Sequence, residues 1–305
     1  MVLNTNVLPD LGLTLLQIAL VFVVLFVAKL YRAWYTKNVD DFALMQEHNV
    51  SSAGISMTGF LAGMTIIIAL AFGGESHGLE NDIMAILFTA FIGMILMSFN
   101  SFFVDSLILA GIKSGNKRIQ EAINSNNLSI GIMQAFGFIA AAVQFYIANS
   151  GVEEITIGLF MVSVPYFLLG QLIVVAGMYA FILVSSYDDH HELFKGNSAV
   201  AMSHGFLMLA ISIMVGTVSQ QAQIVDLTTT FFIVAYSIIS IILMIFIPRL
   251  MASSFLNGVL KIKYDGKIEN ATANGQVDIA MIYGIMRVVV AIVIASSLPF
   301  NLFIV

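Results

Sequence analysis

The sequence predicts an all-α, polytopic membrane bundle of eight transmembrane helices, built as four tandem two-helix repeats that share one orientation. Three observations carry that expectation. The chain has 305 residues, 59% of them hydrophobic and 10% charged, with a mean hydropathy of +0.97. That leaves too little polar surface to coat a water-soluble globule. Eight apolar runs of about 20 residues or more, the length that crosses the hydrocarbon, can be marked along it. The basic residues, finally, gather at one end of every run.

Taken in order, the runs fall at about 11–33, 52–72, 83–112, 128–148, 155–184, 199–215, 227–256 and 277–298. From the third run onward the odd-numbered ones reach about 30 residues, roughly 45 Å as helix, so they must tilt or project from the bilayer. The even ones are near 20 and just span it. Residues 1–151 and 152–305 form two halves of two repeats each. The opening MVLNTNVLPD has no basic n-region, and no A-x-A-like site follows the first run, so that run is expected to stay in the protein as a helix. The absence of cysteine excludes disulfides and thiolate chemistry. Pro165 and Pro248 fall inside the fifth and seventh runs, where each frees a carbonyl, that of Met161 or Met244, and kinks its helix.

Charge sets the orientation. Lys29, Arg32, Lys37, Lys113, Lys117, Arg118, Lys195, Lys261, Lys263 and Lys267 lie at the ends of odd runs or in the segments leading to even ones. The opposite segments hold Asp10, Glu75, Glu80, Asp82, Glu153, Glu154 and Asp226, with no Lys or Arg. The positive-inside rule then puts the longer loops in the cytoplasm and both termini outside.

The repeat emerges when the even runs are superposed. Asn49, Asn127 and Asn274 each precede a glycine, Gly59, Gly137 and Gly284, by ten residues, and the third copy is shorter, from Asn197 to Gly205. An amide just ahead of an apolar run can cap free N–H groups or hold a turn. Each glycine has a small residue four positions away: Gly59 with Gly63, Gly137 with Ala141, Gly205 with Ala201, Gly284 with Ala280. That spacing lets neighbouring backbones approach closely.

The stretches NNLSIGIMQAFGFIAAA and GNSAVAMSHGFLMLAISI, with the looser EHNVSSAGISMTGFLAG, resemble the bacterial domain-of-unknown-function three-fifty family, the YjfL-like membrane proteins. The resemblance covers nearly the whole chain. It implies a multi-pass protein of the inner membrane, built from tandem repeats, with no established activity. It also implies a link to envelope stress or polyamine-related biology.

Charges inside a membrane cost at least about 2.5 to 3.5 kcal/mol at a helix centre and so mark candidate sites. Asp105 follows Asp82 by 23 residues, and Arg249 follows Asp226 by 23, so the two occupy equivalent positions. Two readings stay open: an ion pair across the bundle, or an arginine that snorkels to headgroups beside a hydrated carboxylate. Arg287, nine residues after Asp278, lies roughly 14 Å into the last run, near the midplane. It is either a structural, hydrogen-bonded cation or part of a polar cavity for an anion. Asn100, Gln144, Gln171, Tyr166 and Tyr236 lie at intermediate depth as acceptors, with His204 and Gln134 just ahead of their repeat glycines.

In SYDDHHEL, residues 186–193, His190 and His191 are weak metal candidates, because adjacent side chains do not converge as i,i+4 pairs do. The segment is expected to be a solvated loop. No nucleophile with its base, metal motif or phosphate loop is found, so neither an enzyme nor a cofactor is expected. Acidic residues match the basic ones in the cytoplasmic segments, which argues against nucleic acid as a partner. The expected partners are the lipid bilayer and either further copies of the chain or cytoplasmic proteins. Two functions remain: a membrane scaffold that docks cytoplasmic partners, or a channel or transporter for a small ion or polar solute built around Arg287.

Overall fold

The computed structural model of the chain describes residues 7–36, 51–73, 78–108, 117–151, 157–221, 227–258 and 268–297. Eight of the described helices are long and apolar enough to cross a membrane. The first four are α1 (Val7–Tyr35), α2 (Ser51–Ile68), α3 (Leu79–Phe102) and α5 (Leu128–Asn149). The others are α6 (Ile157–Val184), α8 (Ser198–Gln221), α9 (Leu227–Gly258) and α11 (Val277–Ser296). A 3₁₀ turn, Ala69–Phe72, extends α2, and a π turn, Phe103–Ile108, extends α3. Pro165 and Pro248 both lie inside continuous helices. The sixth run is longer than its sequence suggested, because α8 has 24 residues and its polar end, Thr217 to Gln221, still winds as helix.

Three short helices precede even-numbered spans: α4 (Lys117–Asn124), α7 (Asp189–Phe194) and α10 (Ile268–Ala273). Two residues beyond the end of each stands a residue of positive φ, Asn126, Gly196 or Gly275, which reverses the chain into the span that follows. We call the side of the bundle that carries them the cap side. Lys37, Asn49, Glu75, Lys113, Glu153, Glu154, Asp226, Lys261, Lys263 and Lys267 lie outside the described residues.

The four even spans pack side by side in one row, α2 beside α5, α5 beside α8 and α8 beside α11, and the long odd helices lie around that row. Burial follows the same order. In the two middle members, α8 and α5, 78% and 67% of the span is buried, against 11% in α1 and 33% in both α3 and α9. The outer helices carry their large apolar side chains, among them Phe22, Phe91, Phe231 and Leu250, outward. In water such a surface would be unstable; facing hydrocarbon it costs nothing.

Small residues set the spacing of the row. The α-carbon of Gly59 faces the main chain of Ala135 so closely that a β-carbon there would collide with it, and Gly131 stands in the same relation to Ser52. Gly205 and Gly284 instead receive aromatic rings from the preceding member, Phe136 and Phe206. Gly137 turns away from the row, toward the Val104 side chain at the end of α3.

Each copy is also fastened to the next at the cap side. The Ser52 hydroxyl donates to the Ile123 carbonyl of α4 at 2.6 Å, and the Ser52 N–H donates to Asn126 Oδ1 at 3.1 Å. Asn127 Nδ2 donates to the carbonyls of Leu193 and Phe194 at the end of α7 (3.2 and 3.0 Å). Asn197 Nδ2 does the same to Thr272 and Ala273 at the end of α10 (3.2 and 2.9 Å). The other oxygen-bearing edge of each asparagine caps its own helix, accepting from Ile130 N and from Ala199 and Val200 N. In the fourth copy the residue at this position is Gln276, not Asn274, which lies two residues earlier in the turn after α10. The short spacing found in the third copy therefore recurs in the fourth, with Gln276 and Gly284 eight residues apart as are Asn197 and Gly205.

Candidate functional site

With the caps aligned, one polar residue recurs seven positions into each described copy: Gln134 after Asn127, His204 after Asn197 and Tyr283 after Gln276. Ser56 stands at the same height in α2 and is hydrogen-bonded to Gln134. Seven residues is two helical turns, so all four point the same way, and about 10 Å of depth separates them from the caps. Two arginine centres are built around this column, one in each half.

In the first centre Arg32, buried near the end of α1, grips Ser56 twice. Its Nη1 donates to the Ser56 carbonyl at 2.9 Å and its Nη2 to the hydroxyl at 2.8 Å. The hydroxyl then donates to Gln134 Oε1 at 2.6 Å, and Gln134 Nε2 donates to Asp105 Oδ1 at 2.7 Å. A cation and a carboxylate are thus joined through two neutral side chains, with every donor directed toward the anion, an order in which each bond polarises the next. The guanidinium also lies over the rings of Phe60 and Phe138, 5.2 and 5.1 Å from their centroids.

The second centre repeats the grip with an arginine from a different helix. Arg287 is wholly buried, and its Nη1 donates to both the carbonyl (2.6 Å) and the hydroxyl (3.0 Å) of Ser203. Its guanidinium packs on Phe181 and Tyr283, 4.4 and 4.0 Å from the centroids. Nε and Nη2 have no hydrogen-bond partner among the described residues. Since Cα–Cβ bonds tilt toward a helix's N-terminus, the side chain runs back over Tyr283, one turn earlier. The charge therefore sits nearer the cap side than its α-carbon does. None of Asn100, Gln144, Gln171, Tyr166 and Tyr236 is its partner; Gln144 instead takes Gln171 Nε2 at 2.8 Å and donates to the Phe167 carbonyl at 3.1 Å.

Asp105 and Arg249 do not pair. Asp105 is held by Gln134, and Arg249 Nε donates to the Tyr283 hydroxyl at 3.3 Å. Gln134 and Tyr283 are the column residues of the last span in each half, so the two charges do touch equivalent positions. They do so within separate halves, which is why no contact across the bundle forms.

Residues 186–193 are not a solvated loop. Asp188 caps α7, accepting from His191 N at 3.0 Å, and Asp189 turns inward, fully buried. Its Oδ1 stands 3.2 Å from Nε2 of His204, and both side chains have no exposure. His190, at the edge of the bundle, is held below its ordinary pKa by burial first and then by His204, against the pull of Asp188 and Asp189. Among the described residues no group of three or more His, Asp or Glu side chains could hold a metal, and with Asp189 committed to His204 the histidines of α7 lack a third ligand. A lateral groove of about 610 Å³ opens between α1 and α3, lined by Tyr31, Ser98, Phe99 and Phe102 among others; it is apolar and neither Arg32 nor Arg287 lines it.

A family model described as Domain of Unknown Function (DUF350) matches the chain twice in tandem, over residues 5–148 and 155–298. The chain belongs to the DUF350 family. Each match takes in four of the eight spans, so the two arginine centres fall one to each DUF350 unit. No curated protein and no solved structure matches the chain.

Arg32, Ser56, Ser203 and Tyr283 are not among the candidate residues that the sequence offers, and Asp189 is there only as one of the ligand types in SYDDHHEL, not as the partner of His204. Arg32 looked like an ordinary charge at a helix end, and serines are common in spanning helices. The seven-residue column was the signal that could have found Ser56 and Tyr283. It was obscured by counting from Asn274 in place of Gln276.

Proposed function

We propose that this DUF350 protein is a non-conducting scaffold of the bacterial inner membrane that docks cytoplasmic partners at its cap side. The observation that carries this reading is the state of Arg287. A guanidinium with no exposure, clasped by Ser203 and packed on Phe181 and Tyr283, is closed off from water and lines no wetted path. Ions and polar solutes need a wetted path lined by exchangeable polar groups. The polar side chains of this core are instead spent on bonds between helices, Arg32 to Ser56, Ser56 to Gln134 and Gln134 to Asp105. The charge bias of the sequence supports a cytoplasmic cap side with both termini outside. The YjfL-like resemblance supports a role in an envelope-stress or polyamine-linked system.

The alternative is a channel or transporter for a small ion or polar solute with its site at Arg287, and what favours it is the pair of unpartnered nitrogens, Nε and Nη2. Flux separates the two. Purified protein in sealed vesicles should pass potassium, chloride and spermidine no faster than empty vesicles, and Arg287→Ala should change nothing. Wild-type flux that Arg287→Ala abolishes would establish transport and remove the scaffold reading. Orientation is tested separately. The chain has no cysteine, so Ser186→Cys beside α7 offers one thiol, which a membrane-impermeant reagent should reach only from the cytoplasmic face.

A further inference from the structure

The buried contact between α7 and α8 carries more chemistry than a scaffold needs. His204 Nδ1 lies 2.9 Å from the Val200 carbonyl, one turn back on its own helix. A carbonyl oxygen only accepts, so Nδ1 bears a hydrogen. The other nitrogen, Nε2, lies 3.2 Å from Asp189 Oδ1, in a place neither side chain shares with solvent, and neither it nor either Asp189 oxygen has a hydrogen-bond partner among the described residues. A neutral imidazole with its hydrogen on Nδ1 would leave a lone pair at Nε2 beside the lone pairs of a carboxylate. Two acceptors buried face to face repel, and each forfeits its hydration. One added proton removes the conflict. Whether it rests on Nε2, as imidazolium against carboxylate, or on Asp189, as carboxylic acid against imidazole, the pair holds one proton more than a neutral histidine beside an ionised aspartate.

We propose that His204 and Asp189 form a single proton-binding site that fastens α7 to the spanning core, and that emptying the site releases α7. The surrounding charges make the site exchangeable. Arg287 of α11 lies behind the Phe181 ring, which meets His204 edge-on at 5.3 Å between centroids. Asp188 and His190 flank Asp189 on α7, with the Asp188 carboxylate occupied by the helix cap. With the proton bound, the pair is neutral beside an arginine cation; with it gone, the aspartate charge offsets the arginine but faces the imidazole lone pair. Proton binding therefore favours the docked helix, and a rise in pH favours its release. That places the switch at the point where Asn127 reaches the end of α7, so release would also loosen the second copy from the third.

The test uses the full chain in lipid bilayers with ¹⁵N-labelled histidine, one of five of which is His204. His204→Gln assigns its signal, and infrared absorption of the carboxyl groups, compared with Asp189→Asn, reports the other partner. At neutral pH the expected result is imidazolium with ionised Asp189, or neutral imidazole with protonated Asp189. Neutral imidazole together with ionised Asp189 overturns the proposal. Hydrogen exchange then reads the latch. As pH rises, the α7 amides of the wild type should lose about tenfold protection relative to His204→Gln, the scale of one buried hydrogen bond. Glutamine keeps an N–H donor for Asp189 and cannot titrate. The same pH response in both chains overturns the latch. Asp189→Asn, which cannot hold the proton, carries the comparison if His204→Gln does not fold.

Discussion

Gly59→Ala is the sharpest test of how the row of even helices is held. A β-carbon at Gly59 would meet the Ala135 β-carbon at 2.5 Å and its carbonyl carbon at 2.8 Å, and would overlap its α-carbon. Ordinary contact between carbons is about 3.5 to 4.0 Å. The obstacle is largely main chain, so no side-chain rotation relieves it and α2 must move away from α5. Overpacking of this kind costs about 1 to 3 kcal/mol. Separation also stretches the 2.6 Å bond from Ser56 to Gln134, worth about 0.6 kcal/mol between spanning helices. The better helix propensity of alanine returns about 0.8 to 1.0 kcal/mol. The net loss should be about 1 to 3 kcal/mol. Gly12→Ala is the control, since nothing lies within 4 Å of a β-carbon there and only the propensity gain applies. Unfolding by sodium dodecyl sulfate titration, followed by circular dichroism, should separate the two variants by about 2 to 4 kcal/mol. Equal shifts in both would refute a backbone contact between α2 and α5.

Other outcomes follow from the arginine centres and the caps. Arg287→Met should stay within about 1 kcal/mol of the wild type or be more stable, because a buried cation with two unpartnered nitrogens gains little from its site; a loss above about 3 kcal/mol in the same titration would show that Arg287 is fully compensated. A double-mutant cycle between Asp105→Asn and Arg249→Gln should give a coupling below about 0.5 kcal/mol. The cycle between Asp105→Asn and Gln134→Leu should give about 0.6 kcal/mol, and the reverse order of sizes would restore a pair across the bundle. Glu192 is held below its ordinary carboxylate pKa, chiefly by the hydrogen bond from Asn197 and also by Lys195. Its contribution is therefore present at neutral pH and lost as pH falls through the lowered folded value. The melting temperature of wild type should exceed that of Glu192→Gln near neutrality and converge with it in acid.

The eight spans were legible because hydropathy and length are all that a bilayer demands of a helix. Their arrangement was less so. Apolar residues lie on every side of these helices, so periodicity could not say that α5 and α8 would be central and α1 peripheral. Short helices such as α7 escaped notice because six residues, four of them polar, are too few to show a hydrophobic rhythm, and the capping role of Asp188 becomes clear only once Asp189 is seen beside His204. The equivalence of Asp105 and Arg249 could be read from spacing alone. Their partners could not, since Gln134 and Tyr283 share neither charge nor shape. Arg32 was hidden by the rule that terminal arginines snorkel, a rule it breaks because Ser56 and two phenylalanine rings offer it a better place than water.

The asparagine staples give the array a growth direction. Asn127 Nδ2 finds its carbonyls only when α7 exists, and Asn197 Nδ2, which also donates to Glu192 of its own copy, finds its two carbonyls only when α10 exists. During synthesis the arrival of each next short helix would therefore lock the copy before it. Gln276 caps nothing with its side chain and so makes no such demand. Duplication of a unit within such a gene is easily absorbed, since a new copy needs only to present two carbonyls to the amide already waiting for it.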